Sequence, residues 1–85
     1  MKHRTIQELH DSRIGHRKFA KVCDLLVANN HVITNIREYN EHFKFCVDGY
    51  EMHYSKEWKS SAKEFAKYVE NLLDAKKRIN ELVKS

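Results

Sequence analysis

Six histidines, two cysteines and sixteen Lys and Arg residues are the groups of this 85-residue chain that could do chemistry, and their spacing restricts what that chemistry is. His3, His10, His16 and Cys23 stand 7, 6 and 7 residues apart, without the closely paired ligands of a structural zinc site, so neither a metal nor another cofactor is expected. His42, Cys46 and His53 fall close together around Asp48-Gly49, and His42 or His53 with Lys44 could supply the acid and base of RNA cleavage. No glycine-rich stretch offers to cradle the phosphate, so no catalytic residue is assigned. Cys23 and Cys46 are too few for a disulfide framework and read as reduced, partly buried thiols. The lysines are the more informative set. Lys56, Lys59, Lys63 and Lys67 recur at steps of three and four, one side of a helix, and Arg17, Lys18 and Lys21 make a second basic group. Ammonium groups beside the free amides of a helix start hold phosphates without breaking them.

The charge is distributed to match. Residues 1–21 carry six basic and two acidic groups (+4), residues 22–55 two and five (−3), and residues 56–85 eight and five (+3), which sum to the net +4. Both ends of the chain are thus disposed toward an anionic partner and the middle is not. No run of 18 apolar residues exists and the opening MKHRTIQELH is too polar for a signal segment, so a cytoplasmic protein without membrane partners is expected. A chain this short fills one core, and we read residues 1–85 as a single domain: 1–16 an N-terminal helix or arm, 17–73 the core, 74–85 a helix extension.

The elements that must position these groups can be read from pattern, since there is no proline and the only glycines are Gly15 and Gly49. Thr5-Ile6-Gln7-Glu8 has capping-box form and predicts a short helix over 5–13, ended by Gly15. Phe19, Val22, Cys23 and Leu26 make one apolar stripe in a helix from Arg17 to Ala28, closed by Asn29-Asn30. The β-branched run Val32, Ile33, Thr34, Ile36 predicts a strand between His31 and Tyr39. Then come 42–47, an Asp48-Gly49 type I′ turn and 50–54, a hairpin whose register opposes Val47 to Tyr50, Phe45 to Met52 and Phe43 to Tyr54. Lys44, Cys46, Glu51 and His53 take its wet face. Ser55 is the expected N-cap of a helix over 56–83, with Glu57 in its first turn and a seam of Trp58, Ala62, Phe65, Val69, Leu72, Ile79 and Val83. Trp58 and Phe65 read as core, Tyr39 and Tyr68 as off-seam interface candidates. This helix outruns the strands beneath it, so its end from Asp74 must protrude or meet another surface. A homodimer through residues 69–83, limited by Asn71, Lys76 and Asn80, is one way to cover it.

The fold expected is therefore α+β, a three-stranded antiparallel sheet packed on one face by two helices. That order, α-β-β-β-α with an Asp-Gly hairpin between the last two strands, resembles the double-stranded RNA binding domain family. So does Lys59-Ser60-Ser61-Ala62-Lys63-Glu64-Phe65-Ala66, similar to the family's Lys-Lys-x-Ala-Lys-x-x-Ala signature at Lys59, Ala62, Lys63 and Ala66, with Ser60 departing. The resemblance spans roughly Arg17 to Leu73. It implies that the lysines lie against phosphates across an RNA major groove while the alanines let the helix pack on the sheet. The family's Gly-Pro-x-His loop is reduced here to Asn40-Glu41-His42, and His42 is the residue carried over. Contacts through Arg17, Lys18 and Lys21 would read shape and charge rather than base sequence.

The expected function is non-enzymatic RNA binding through Lys56, Lys59, Lys63 and Lys67, with Arg17, Lys18, Lys21 and His42 as further contacts. Two rivals stand beside it. One is an inhibitor whose basic patches engage a host or toxin protein. The other is a small mRNA-cleaving toxin, because the HicA family resembles this fold and uses one catalytic His. The small, proline-free, Lys/Asn/Glu-rich chain also resembles accessory proteins of large tailed phages, among them anti-defence factors and RNA-binding antitoxins against ToxN-type endoribonucleases.

Overall fold

The computed structural model describes residues 1–11 and 16–84. The elements run β1 (Lys2–His3), α1 (Ile6–His10), α2 (Arg17–Ala28), β2 (Ile33–Glu38), β3 (His42–Val47), β4 (Tyr50–Ser55) and α3 (Ala62–Lys84). The architecture is α+β, but the antiparallel sheet has four strands in the order β1-β2-β3-β4, not three. The N-terminal arm supplies the extra one: Lys2 pairs with Glu38 and His3 with Arg37. Nothing apolar marks these two residues. Arg4 holds them in place, its amide on the Ile36 carbonyl at 3.0 Å and its guanidinium on Glu38 at 2.8 Å.

Local signals set several elements as expected. The Thr5 hydroxyl accepts from the Glu8 amide and the Glu8 carboxylate from the Thr5 amide, both at 3.1 Å, so the capping box starts α1. The helix stops at His10, with Asp11 extended as its C-cap; the stop expected at Gly15 lies outside the described residues. Asp48 (φ 52) and Gly49 (φ 87) both take the positive φ of a type I′ turn, and the register opposes Val47 to Tyr50, Phe45 to Met52 and Phe43 to Tyr54. In β2 a bulge lies between Thr34 and Arg37, with Asn35 at φ 53. Its extra residue brings Ile33 and Ile36, which strict alternation would send to opposite faces, onto the same core.

One face of the sheet carries Ile36, Phe43, Phe45, Val47, Met52 and Tyr54 against α2 and α3. Phe19 of α2 packs on the rings of Phe43 (4.6 Å) and Tyr54 (4.8 Å), and Phe65 of α3 meets Tyr54 edge-on at 4.7 Å. Each fully buried Phe contributes about 2–3 kcal/mol of transfer free energy, the main favourable term in so small a core. Leu9 of α1, fully buried, joins the same core.

The C-terminal helix departs from expectation at its start. Strand β4 continues through Ser55, opposite His42, and the Lys56 amide extends the pairing to the Glu41 carbonyl at 3.0 Å. Ser55 caps a turn, accepting the Glu57 amide at 3.2 Å, and Ser61 starts the helix by accepting the Glu64 amide at 3.2 Å. Trp58 therefore packs on the core from a loop, its indole N–H on the Ser61 carbonyl at 3.3 Å. The expected seam divides: Phe65 and Val69 face inward with Ala66 and Leu73, while Ile79 and Val83 are exposed. No helix among the described residues is long and apolar enough to cross a membrane.

Candidate nucleic-acid interface

Helices α2 and α3 pack side by side, and the seam between them is lined by Lys21, Lys63 and Lys67. An open cleft of ≈ 410 Å³ is lined by Lys21, Asp24 and Leu25 of α2 and by Ser61, Ala62 and Lys63 at the start of α3. A second, ≈ 270 Å³, adjoins it along the same seam and is lined by Leu25, Asn29, Lys63, Ala66, Lys67 and Glu70. Lys63 belongs to both. The carboxylates of these clefts already have partners: Asp24 meets His10 at 2.7 Å, and Glu70 accepts from Asn29 at 3.1 Å and lies 3.5 Å from His31. Lys21, Lys63 and Lys67 are exposed and make no ion pair with a described residue. With Ser61 holding the Glu64 amide, the amides of Ala62 and Lys63 stay open at the positive end of the helix dipole.

Of the remaining expected contacts, Arg17 and Lys59 are exposed, and Lys18 donates to the Trp58 carbonyl at 3.2 Å, tying α2 to the loop ahead of α3. Lys59 precedes the helix, so the pairing of Lys59 with Lys63 one helical turn apart does not occur; Lys63 and Lys67 hold that relation instead. Lys56 is turned inward. Its ammonium lies 2.8 Å from Glu38 and over the Phe43 ring at 5.3 Å, half-buried, so it does not join the exposed lysines.

His42 sits elsewhere. With Lys44 and Cys46 it alternates with buried Phe43, Phe45 and Val47, which puts it on the sheet face turned away from the helices. There its ring is stacked between Tyr39 (4.8 Å) and His53 (5.6 Å), with Lys44 over Tyr39 at 5.6 Å. Nε2 of His42 is buried without a hydrogen-bond partner. Imidazoles lying face to face at that spacing leave no room for a phosphate between them. Among the described residues no three His, Cys, Asp or Glu side chains gather as a metal ion requires.

Two acidic hubs were not read from the sequence. Glu38 collects Arg4 (2.8 Å), His16 (3.2 Å) and Lys56 (2.8 Å). Burial pushes its carboxyl upward, but hydrogen bonds from Lys56 and Arg4, with the nearby charges of Lys56 and His16, outweigh this and hold it at about 2. Asp48 accepts the Val32 amide and approaches His31 Nδ1, both at 2.8 Å, with Lys77 at 3.6 Å. The His31 and Val32 hydrogen bonds draw its carboxyl below the ordinary range. The signal available was the acidic middle between basic ends: these ion pairs join the segments, so part of the charge contrast is satisfied within the molecule.

No protein-family model, curated protein or solved structure matches this chain.

Proposed function

We propose that the chain is a non-enzymatic RNA-binding module that holds the phosphate backbone of duplex or structured RNA on the outer surface of α2 and α3. The observation that carries the reading is the meeting of Lys21 with Lys63 and Lys67 along adjoining clefts, beside the open amides of the α3 start. Arg17 and Lys59 are further exposed cations, Lys18 is tied to the Trp58 carbonyl, and Lys56 and His42 lie off this surface. Cations presented this way bind phosphates by charge and shape, with little base readout and with strong dependence on salt.

Binding of a roughly 20-base-pair RNA duplex, followed by fluorescence anisotropy at two salt concentrations, tests it. Changing Lys21, Lys63 and Lys67 together to Gln should weaken binding more than tenfold and flatten the slope of log K against log salt by about 2–3. Absence of binding at low salt, or equal binding by the triple variant, rejects the reading. A second reading is favoured by Leu25, 37% exposed between the lysines: a basic rim around an apolar floor also suits an acidic segment of a partner protein. Purified protein free of 260 nm excess absorbance and unable to bind RNA would leave that reading.

A further inference from the structure

The side of α3 turned away from Lys63 and Lys67 carries exposed apolar side chains. Tyr68, Leu72, Ala75, Ile79 and Leu82 follow one another at steps of four, three, four and three, the spacing of a helix-pairing seam. Tyr68 is 51% exposed, Ile79 61%, Leu82 75% and Val83 80%. Beside this seam runs β4, an edge strand of the sheet. Val47 and Tyr50 flank a two-residue turn, so Tyr50, Met52 and Tyr54 bond to β3 and the main-chain groups of Glu51 and His53 point off the edge. Of the next outward residue, Ser55, the carbonyl is taken by the Trp58 amide. Between edge and helix lies a groove of ≈ 310 Å³ lined by Glu51, Met52, His53, Tyr68, Leu72 and Lys76 among others.

We infer that a second copy of this chain docks here, with β4 paired antiparallel to its own equivalent and the two α3 helices side by side. The geometry is self-complementary. Phe65 packs on Tyr54, and Asn80 donates to the Tyr50 hydroxyl at 3.3 Å, so α3 runs antiparallel to β4 beneath it. A two-fold axis beside β4 that pairs the strands therefore also sets the helices antiparallel. The end of α3 that overhangs the hairpin, with Leu82 and Val83, then runs along Tyr68 and Leu72 of the other copy. One operation covers both the strand edge and the apolar stripe, as an isologous interface requires.

The area agrees. The exposed parts of Tyr68, Ile79, Leu82 and Val83 amount to roughly 500 Å² per chain and about 1,000 Å² for two, the threshold of a specific interface before any strand contact is added. Glu51 at the groove is already ion-paired with Arg37, so no unpaired carboxylate is buried by the second copy. The lysine-rich α2/α3 surface stays outside. Edge β4 contains neither lysine nor proline, the residues that ordinarily guard such an edge, whereas the opposite edge is the two-residue β1.

Light scattering on the full chain after size exclusion, at about 10–200 µM, tests this. The expected mass is twice the 10.2 kDa chain. Ile79→Lys with Leu82→Lys changes two exposed positions and should return the monomer mass with unchanged far-UV circular dichroism. His53→Pro, which removes an outward amide, should independently weaken the dimer at least tenfold. A wild-type chain that stays monomeric through this range, or a dimer that survives both variants, overturns the inference. RNA binding does not enter this test, so its outcome is separate from that of the proposed function.

Discussion

Replacing Glu38 by glutamine keeps the size of the side chain and removes the charge on which Arg4, His16 and Lys56 converge. The carboxyl is held at about 2 in the fold against an ordinary 4.5, a difference of 4.5 − 2 = 2.5. At about 1.4 kcal/mol per unit this caps the stabilisation near 3.5 kcal/mol. Glu38 is 17% exposed, and solvent on its open side lowers the expected value to about 2 kcal/mol. In a domain of this size that is roughly 10 °C in Tm. The sign comes from linkage: the folded state binds the proton more weakly than the unfolded state, so the contribution is complete above pH 4.5 and disappears as pH falls toward 2. Urea unfolding of wild type and Glu38→Gln by circular dichroism at pH 7, 5, 4 and 3 measures it as a difference. Asp48 and Glu51, whose carboxyls are also drawn down, are present in both proteins and cancel. A gap that is as wide at pH 3 as at pH 7, or absent at pH 7, would refute the charge-based account of this hub.

In the hairpin, Asp48→Gly relieves a positive φ but removes the bonds to His31 and the Val32 amide, so chemical denaturation should show a net loss of about 1–2 kcal/mol; a gain would mean that turn geometry outweighs the clamp. At Gly49, with φ +87 and no atom within 4 Å of an added Cβ, Ala should cost about 1 kcal/mol from backbone strain alone, measured the same way. Cys23 is fully buried, and burial together with Asp24 pushes its thiol up to about 12. Iodoacetamide at pH 8 should therefore label half-buried Cys46 in the native protein and Cys23 only after denaturant, as read by peptide mass spectrometry; equal labelling rates would contradict the packing of α2.

Elements whose signals lie within a few residues of one another were readable from the chain alone. Thr5 with Glu8 starts α1, the stripe from Phe19 to Leu26 makes α2 amphipathic, and Asp48-Gly49 sets which hairpin side chains meet. The same holds for the basic residues as a set, since Arg17, Lys18 and Lys21 and then Lys63 and Lys67 recur at helical spacing. Where contacts across the chain compete with local propensity, the tertiary structure decided. Ser55 and Ser61 are both serviceable caps, and the choice fell to Ser61 because pairing with β3 carries β4 through Ser55 and Glu38, eighteen residues earlier, draws Lys56 inward. That choice removed Lys59 from the helix and put Lys63 beside Lys21. Strand β1 and the turn of Tyr68 and Leu72 toward the β4 edge likewise depend on residues distant in sequence, because pairing and burial are properties of the assembled fold and local spacing does not encode them.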